Sequence, residues 1–115
     1  MHTYVVEDDS GKITDFFSFY SLPSSCFTHP AHDKINACFS YYNVATSMSI
    51  KELLHNAIIM AQKEGYDVYN CLDLMDNAEA FEDLKFGRGS GTLQYYLYNF
   101  AVNDLPAKET AIVLV

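Results

Sequence analysis

Between Ser49 and Glu64 the apolar residues fall at helical spacing: Ile50, Leu53, Leu54, Ala57, Ile58 and Ala61 make one continuous stripe. A stripe of that period marks a helix with one face on a core. Ser49 followed by Glu52 forms a capping box, and Gly65 stands where a helix ends in the left-handed region. A second, shorter helix is predicted from its cap Asn77 through Lys85, with Phe81 and Leu84 facing inward and Gly87 closing it.

Most of the remaining chain patterns as strands. Thr3 to Val6 reads as a short strand and Asp8-Asp9-Ser10-Gly11 as a turn. Ile13 to Leu22 packs Phe16, Phe17, Phe19 and Tyr20 around Ser18, and Pro23 ends it. Ser24 to Asp33 reads as an irregular loop, and Asn36 to Val44 as an aromatic strand. Further strands are predicted over Asp67 to Leu74, Gln94 to Phe100 and Thr110 to Val115, with a Pro106-containing turn over Asn103 to Lys108. Strands outnumber helices and both kinds of connection occur. The pattern predicts an α+β fold: a mixed, largely antiparallel sheet carrying two helices.

Composition narrows the picture. The 115 residues have the length of one domain, and 50% apolar content is ample for a core. A net charge of −8 excludes the basic patch that nucleic acid demands. Acidic groups bunch at Glu7-Asp8-Asp9 and between Asp73 and Asp83, either as solvated faces or as a field drawing a cationic peptide. No apolar run reaches membrane-span length, and Met1 to Glu7 lacks the regions of a signal peptide. Cys26, Cys38 and Cys71 have no metal spacing, which points to reduced thiols and a cytoplasmic protein.

Candidate chemistry is sparse. Lys85 to Leu93 carries glycines at 87, 89 and 91, which implies positive φ or close approach to another group. Phosphate-cradling loops leave a strand and open a helix, whereas here a helical pattern precedes the loop and a strand follows. A loop shaping a substrate fits that order better. His29 and His32 flank Pro30 without a third ligand, so no metal is expected. Ser18 interrupts an aromatic strand, and its hydroxyl needs either a backbone or a ligand partner. Asn70 interrupts the row of Val68, Leu72 and Leu74, and either satisfies a buried backbone group or reads an extended peptide. The apolar run to Val115 predicts a chain end buried in a sheet.

These segments resemble the C-terminal part of the N-myristoyltransferase (glycylpeptide N-tetradecanoyltransferase) family over essentially all 115 positions. The anchors are Thr14 to Ser24, Tyr41 to Val44, Tyr66 to Met75 and Leu84 to Asn99. The family signature Lys-Phe-Gly-x-Gly-Asp-Gly is matched at Lys85 to Gly91, except that Ser90 replaces the acid.

The resemblance implies an acetyltransferase-like (GNAT-like) half of a two-half enzyme that moves myristate from myristoyl-CoA to the N-terminal glycine amine of proteins. It implies no cofactor beyond that co-substrate, which the other half would bind. It implies that the Val115 carboxylate is the catalytic base. It also implies that Ser18, Asn70, Gly89, Ser90, Gly91, Leu93 and Leu114 line the peptide groove, with Ser90 unsuited to a basic substrate side chain. Met1 falls in the middle of the resemblance, so the chain is expected to be an incomplete piece, inactive alone and able to self-associate through open sheet edges. Two other readings remain: a catalytically silent peptide-binding module, or a small acetyltransferase. The last would need a pyrophosphate loop before a helix, and the sequence pattern reveals none.

Overall fold

The computed structural model describes residues 1–27 and 33–113. Among these residues six strands form: β1 (His2–Glu7), β2 (Ile13–Ser21), β3 (Ser24–Ser25), β4 (Lys34–Ile35), β5 (Ala37–Val44) and β6 (Val68–Asn70). The main sheet has the order β1-β2-β5-β6; β1, β2 and β5 run antiparallel, and β6 lies parallel to β5. The mixed, largely antiparallel sheet of the α+β reading is therefore present. The stretch from Ser24 to Asp33, expected to be irregular, contains β3, which pairs with β4 as a two-residue ribbon.

A parallel neighbour cannot be reached by a tight turn, so the chain crosses over between β5 and β6 through α1 (Ile50–Lys63). Ser49 caps α1 by accepting the Glu52 backbone N–H at 3.2 Å. At the other end Gly65 adopts φ +86°, Gly65 N–H donates to Gln62 O, and Tyr66 N–H donates to Ala61 O. This is a Schellman closure.

The apolar stripe of α1 buries Leu53, Leu54, Ala57 and Ala61. Leu53, Ala57 and Ala61 join Phe17, Phe19 and Cys38 of the sheet in one core. Phe19 is its hub, stacked on His2 at 5.1 Å and meeting Tyr66 and Tyr69 edge-on at 5.8 and 5.9 Å. Tyr20 stacks on Phe39 at 5.6 Å, tying β2 to β5 through a second ring pair.

Three expectations need correction. The helix predicted from Asn77 to Lys85 is only a 3-10 turn over Asn77–Ala80. Asn77 turns its amide inward instead of capping, and the chain is stopped by Lys85 at φ +58° rather than by Gly87. The predicted strand over Gln94 to Phe100 forms no ladder; Tyr96, Tyr98 and Phe100 are 88%, 93% and 74% exposed. The described part of the predicted final strand, 110–113, is likewise outside any sheet, and Leu114 and Val115 lie outside the described residues. Aromatic and β-branched residues favour strands only when a neighbouring strand receives them, and no such neighbour exists among the described residues.

Candidate functional site

Ser18 sits where the pairing of β2 with β5 slips, between Phe17 and Phe19. Its hydroxyl donates to Tyr42 O at 2.9 Å and accepts from Tyr42 N–H at 3.0 Å, restoring contacts that the slipped ladder loses. The side chain is 3% exposed. Asn70, at the end of β6, donates from Nδ2 to Cys38 O at 3.2 Å. Both candidate residues are therefore fastened to the backbone of β5, from its two opposite edges.

The Lys85 to Leu93 loop behaves differently. Gly89, Ser90, Gly91 and Leu93 are all exposed, whereas Ser18 is buried and Asn70 half-buried. Contrary to expectation, Gly87, Gly89 and Gly91 do not adopt positive φ, and a Cβ at each would meet nothing within 4 Å. Among the described residues nothing requires glycine there. Two surface depressions flank α1, one lined by Lys51, His55 and Leu84, the other by Tyr66, Val68 and Tyr69. Neither is lined by Ser18, Asn70 or Gly89.

His29 and His32, like Leu114 and Val115, lie outside the described residues. Among the described residues no cluster of three His, Cys, Asp or Glu could hold a metal ion, and no helix is long and apolar enough to cross a membrane. Cys26, Cys38 and Cys71 are free thiols. Burial pushes the Cys38 thiol up to about 11 and the Cys71 thiol up to about 12, so both are protonated at neutral pH.

One arrangement escaped the sequence reading. The residues between β5 and α1 turn three backbone N–H groups toward one point, and the Asp15 carboxylate occupies it. Asp15 Oδ1 accepts from Thr46 N–H at 2.6 Å, Ser47 N–H at 2.8 Å and Met48 N–H at 3.4 Å, while Ser47 Oγ donates to Oδ2. Burial opposes its charge, but the Ser47 and Thr14 hydroxyls and the backbone N–H groups win and hold the carboxyl well below the usual carboxylate range. The only sequence signal was alternation: Asp15 extends the row of Phe17 and Phe19 that faces α1.

Three antiparallel strands, a crossover helix and a parallel fourth strand define an acetyltransferase-like α+β fold. A solved structure of a probable acetyltransferase shares it with a TM-score of 0.55, over 86% of this chain and 68% of that one; at 16% identity the likeness is one of fold.

The model of the family "Myristoyl-CoA:protein N-myristoyltransferase, C-terminal domain" matches residues 1–112, and the chain belongs to that family. It is 49% identical over 114 residues to the probable glycylpeptide N-tetradecanoyltransferase of Caenorhabditis elegans, covering 99% of this chain and 25% of the relative. It is 48% identical to glycylpeptide N-tetradecanoyltransferase 2 of Bos taurus, covering 97% of this chain and 22% of the relative. The Saccharomyces cerevisiae N-myristoyltransferase, solved with bound myristoyl-CoA, superposes with a TM-score of 0.68 at 35% identity, over 76% of this chain and 23% of that one. The chain thus spans about a quarter of the length of the curated relatives it matches.

Proposed function

We propose that this chain is the peptide-side part of an acyltransferase that carries myristate from myristoyl-CoA to the α-amine of an N-terminal glycine. The observation that carries the reading is the Lys85 to Gly91 loop. Among the described residues its glycines are demanded neither by φ nor by crowding, which fits glycines kept for a group that approaches from outside. An extended peptide with an unsubstituted N-terminal glycine is such a group. Ser18 and Asn70 border the same groove in this reading. Ser18 keeps its two bonds to Tyr42 and Asn70 its one to Cys38, and the remaining hydrogen-bonding capacity of each is offered to the peptide. Leu93 and Leu114 supply apolar wall, and Ser90, lacking the family acid, leaves a basic substrate side chain unpaired.

In this reading the Val115 carboxylate removes a proton from the glycine ammonium. The freed amine attacks the thioester carbonyl, the amide bond forms, and the CoA thiol leaves. In water the transfer from an α-ammonium to a carboxylate of pKa about 3.5 costs about 6 kcal/mol. A closed apolar pocket raises the acid and lowers the amine, and the sequence leading to Val115, from Ala111 on, is apolar. The 115 residues alone transfer nothing, since the acyl-CoA is held elsewhere in the enzyme, and the reaction belongs to the reducing cytoplasm.

Adding two residues after Val115 in the full-length enzyme displaces the carboxylate. We expect kcat to fall at least tenfold, roughly the smallest contribution of a positioned base, with the KM for myristoyl-CoA unchanged. Unaltered kcat would rule out the terminal carboxylate as base.

A further inference from the structure

We propose that the Asp15 carboxylate stands in for a bound anion, closing the backbone cradle between β5 and α1 to phosphate-bearing ligands. The inference is independent of the transfer reading. A strand, a short loop and the N-terminus of a helix, with successive N–H groups converging on one point, form the arrangement that holds phosphates in many α/β proteins. Here residues 45–49 lie between the end of β5 at Val44 and the start of α1 at Ile50. Four donors of that loop converge on Asp15: the Thr46, Ser47 and Met48 N–H groups and the Ser47 hydroxyl.

The occupant is built in rather than adventitious. Asp15 is 0% exposed and is delivered by β2, where Val6 is its partner in β1. The register of β2 with β1 holds its backbone beside the cradle. Thr14 strengthens the closure from the next position: its backbone carbonyl accepts the Thr46 hydroxyl, and its own hydroxyl lies 3.3 Å from Ser47 Oγ.

Charge works in the same direction. A phosphate entering beside Asp15 would meet a buried like charge. The lysine in the first turn of α1, Lys51, points elsewhere and pairs with Asp83 at 2.7 Å. The chain as a whole carries −8. A fold whose order of elements would otherwise suit a nucleotide-type phosphate is therefore self-blocked, and any phosphate-bearing acyl carrier must sit on other residues. The sequence pattern reveals no pyrophosphate-type loop before a helix; the structure shows converging N–H groups ahead of α1, with the Asp15 side chain among them.

The test is a titration with inorganic pyrophosphate, read at the backbone amide resonances of Thr46, Ser47 and Met48 in the full-length protein. Reading these amides separates the cradle from any phosphate site elsewhere. In the wild type they should not move. In D15A the emptied cradle should give saturable shifts at all three, and pyrophosphate should raise the melting temperature above that in sodium chloride of equal ionic strength. In D15N the isosteric amide still fills the space, so the three amides should stay unresponsive. If D15A does not fold, the wild type and D15N decide the matter. Saturable shifts of these amides in either, or a folded D15A whose amides ignore pyrophosphate, would overturn the proposal.

Discussion

Asn43 in β5 donates from Nδ2 to Asn77 Oδ1 at 3.1 Å, joining the central strand to the 3-10 turn that follows β6. Both side chains are buried, at 6% and 2% exposure. The pair extends in both directions: Asn43 also donates to Ser40 Oγ at 2.8 Å, and Asn77 donates to Leu72 O at 3.1 Å. This polar chain holds the segment leading toward the glycine loop against the sheet.

Removing one partner leaves buried polar atoms unpaired. Asn77→Ala should therefore destabilise the fold by about 1–3 kcal/mol. Urea unfolding reads the loss as a lower midpoint; an unchanged midpoint would show that the network contributes nothing.

Asp15 predicts an acid dependence. Its folded-state pKa lies below the unfolded value of about 3.9, so the folded state is favoured by the ionised form. That contribution is complete above about pH 5 and is lost as pH falls through about 4 and below. Asp15→Asn never has it. The stability gap between wild type and D15N should thus be largest near neutrality and narrow steadily below about pH 4. Chemical denaturation at several pH values measures it, and a gap that stays constant would contradict the ionised, hydrogen-bonded carboxylate.

Gly89 separates fold from function. With no positive φ and nothing within 4 Å of an added Cβ, Gly89→Ala should leave stability within about 0.5 kcal/mol of wild type. If the peptide backbone approaches there, the same change should raise the peptide KM or lower kcat at least tenfold in the full-length enzyme. Full activity in G89A would place the peptide away from this loop.

The thiols should react unequally. Cys38 is buried, and Cys71, half-buried like Cys26, is pushed up to about 12 by desolvation, as Cys38 is to about 11. Iodoacetamide labelling followed by peptide mass spectrometry should find Cys26 modified first in the folded protein. Equal rates at all three would contradict the packing around β5.

The periodicity of α1 and the aromatic alternation of β2 and β5 were legible because each follows from local spacing and one-sided burial. The core residues Phe17, Phe19, Leu53 and Ala57 came with them. The failures share a different cause. Asn77 looked like a cap because its tertiary partner, Asn43, lies 34 residues away. Gln94 to Phe100 looked like a strand because composition cannot reveal whether a pairing partner is at hand. Asp15 looked like an ordinary polar residue until β2 placed it beside Thr46, 31 residues on. Of the site, the glycine loop was legible as a motif but not as geometry. Ser18 and Asn70 were rightly singled out as needing partners, and each takes one from β5.

The central claim is that this chain serves glycine N-myristoylation. The most direct measurement incubates the full-length protein with myristoyl-CoA and a peptide beginning with glycine, and locates any added group by tandem mass spectrometry. The account predicts a tetradecanoyl group on the glycine α-amine and none on the same peptide begun with alanine. A peptide that binds yet returns unmodified would contradict it and leave a silent peptide-binding module in its place.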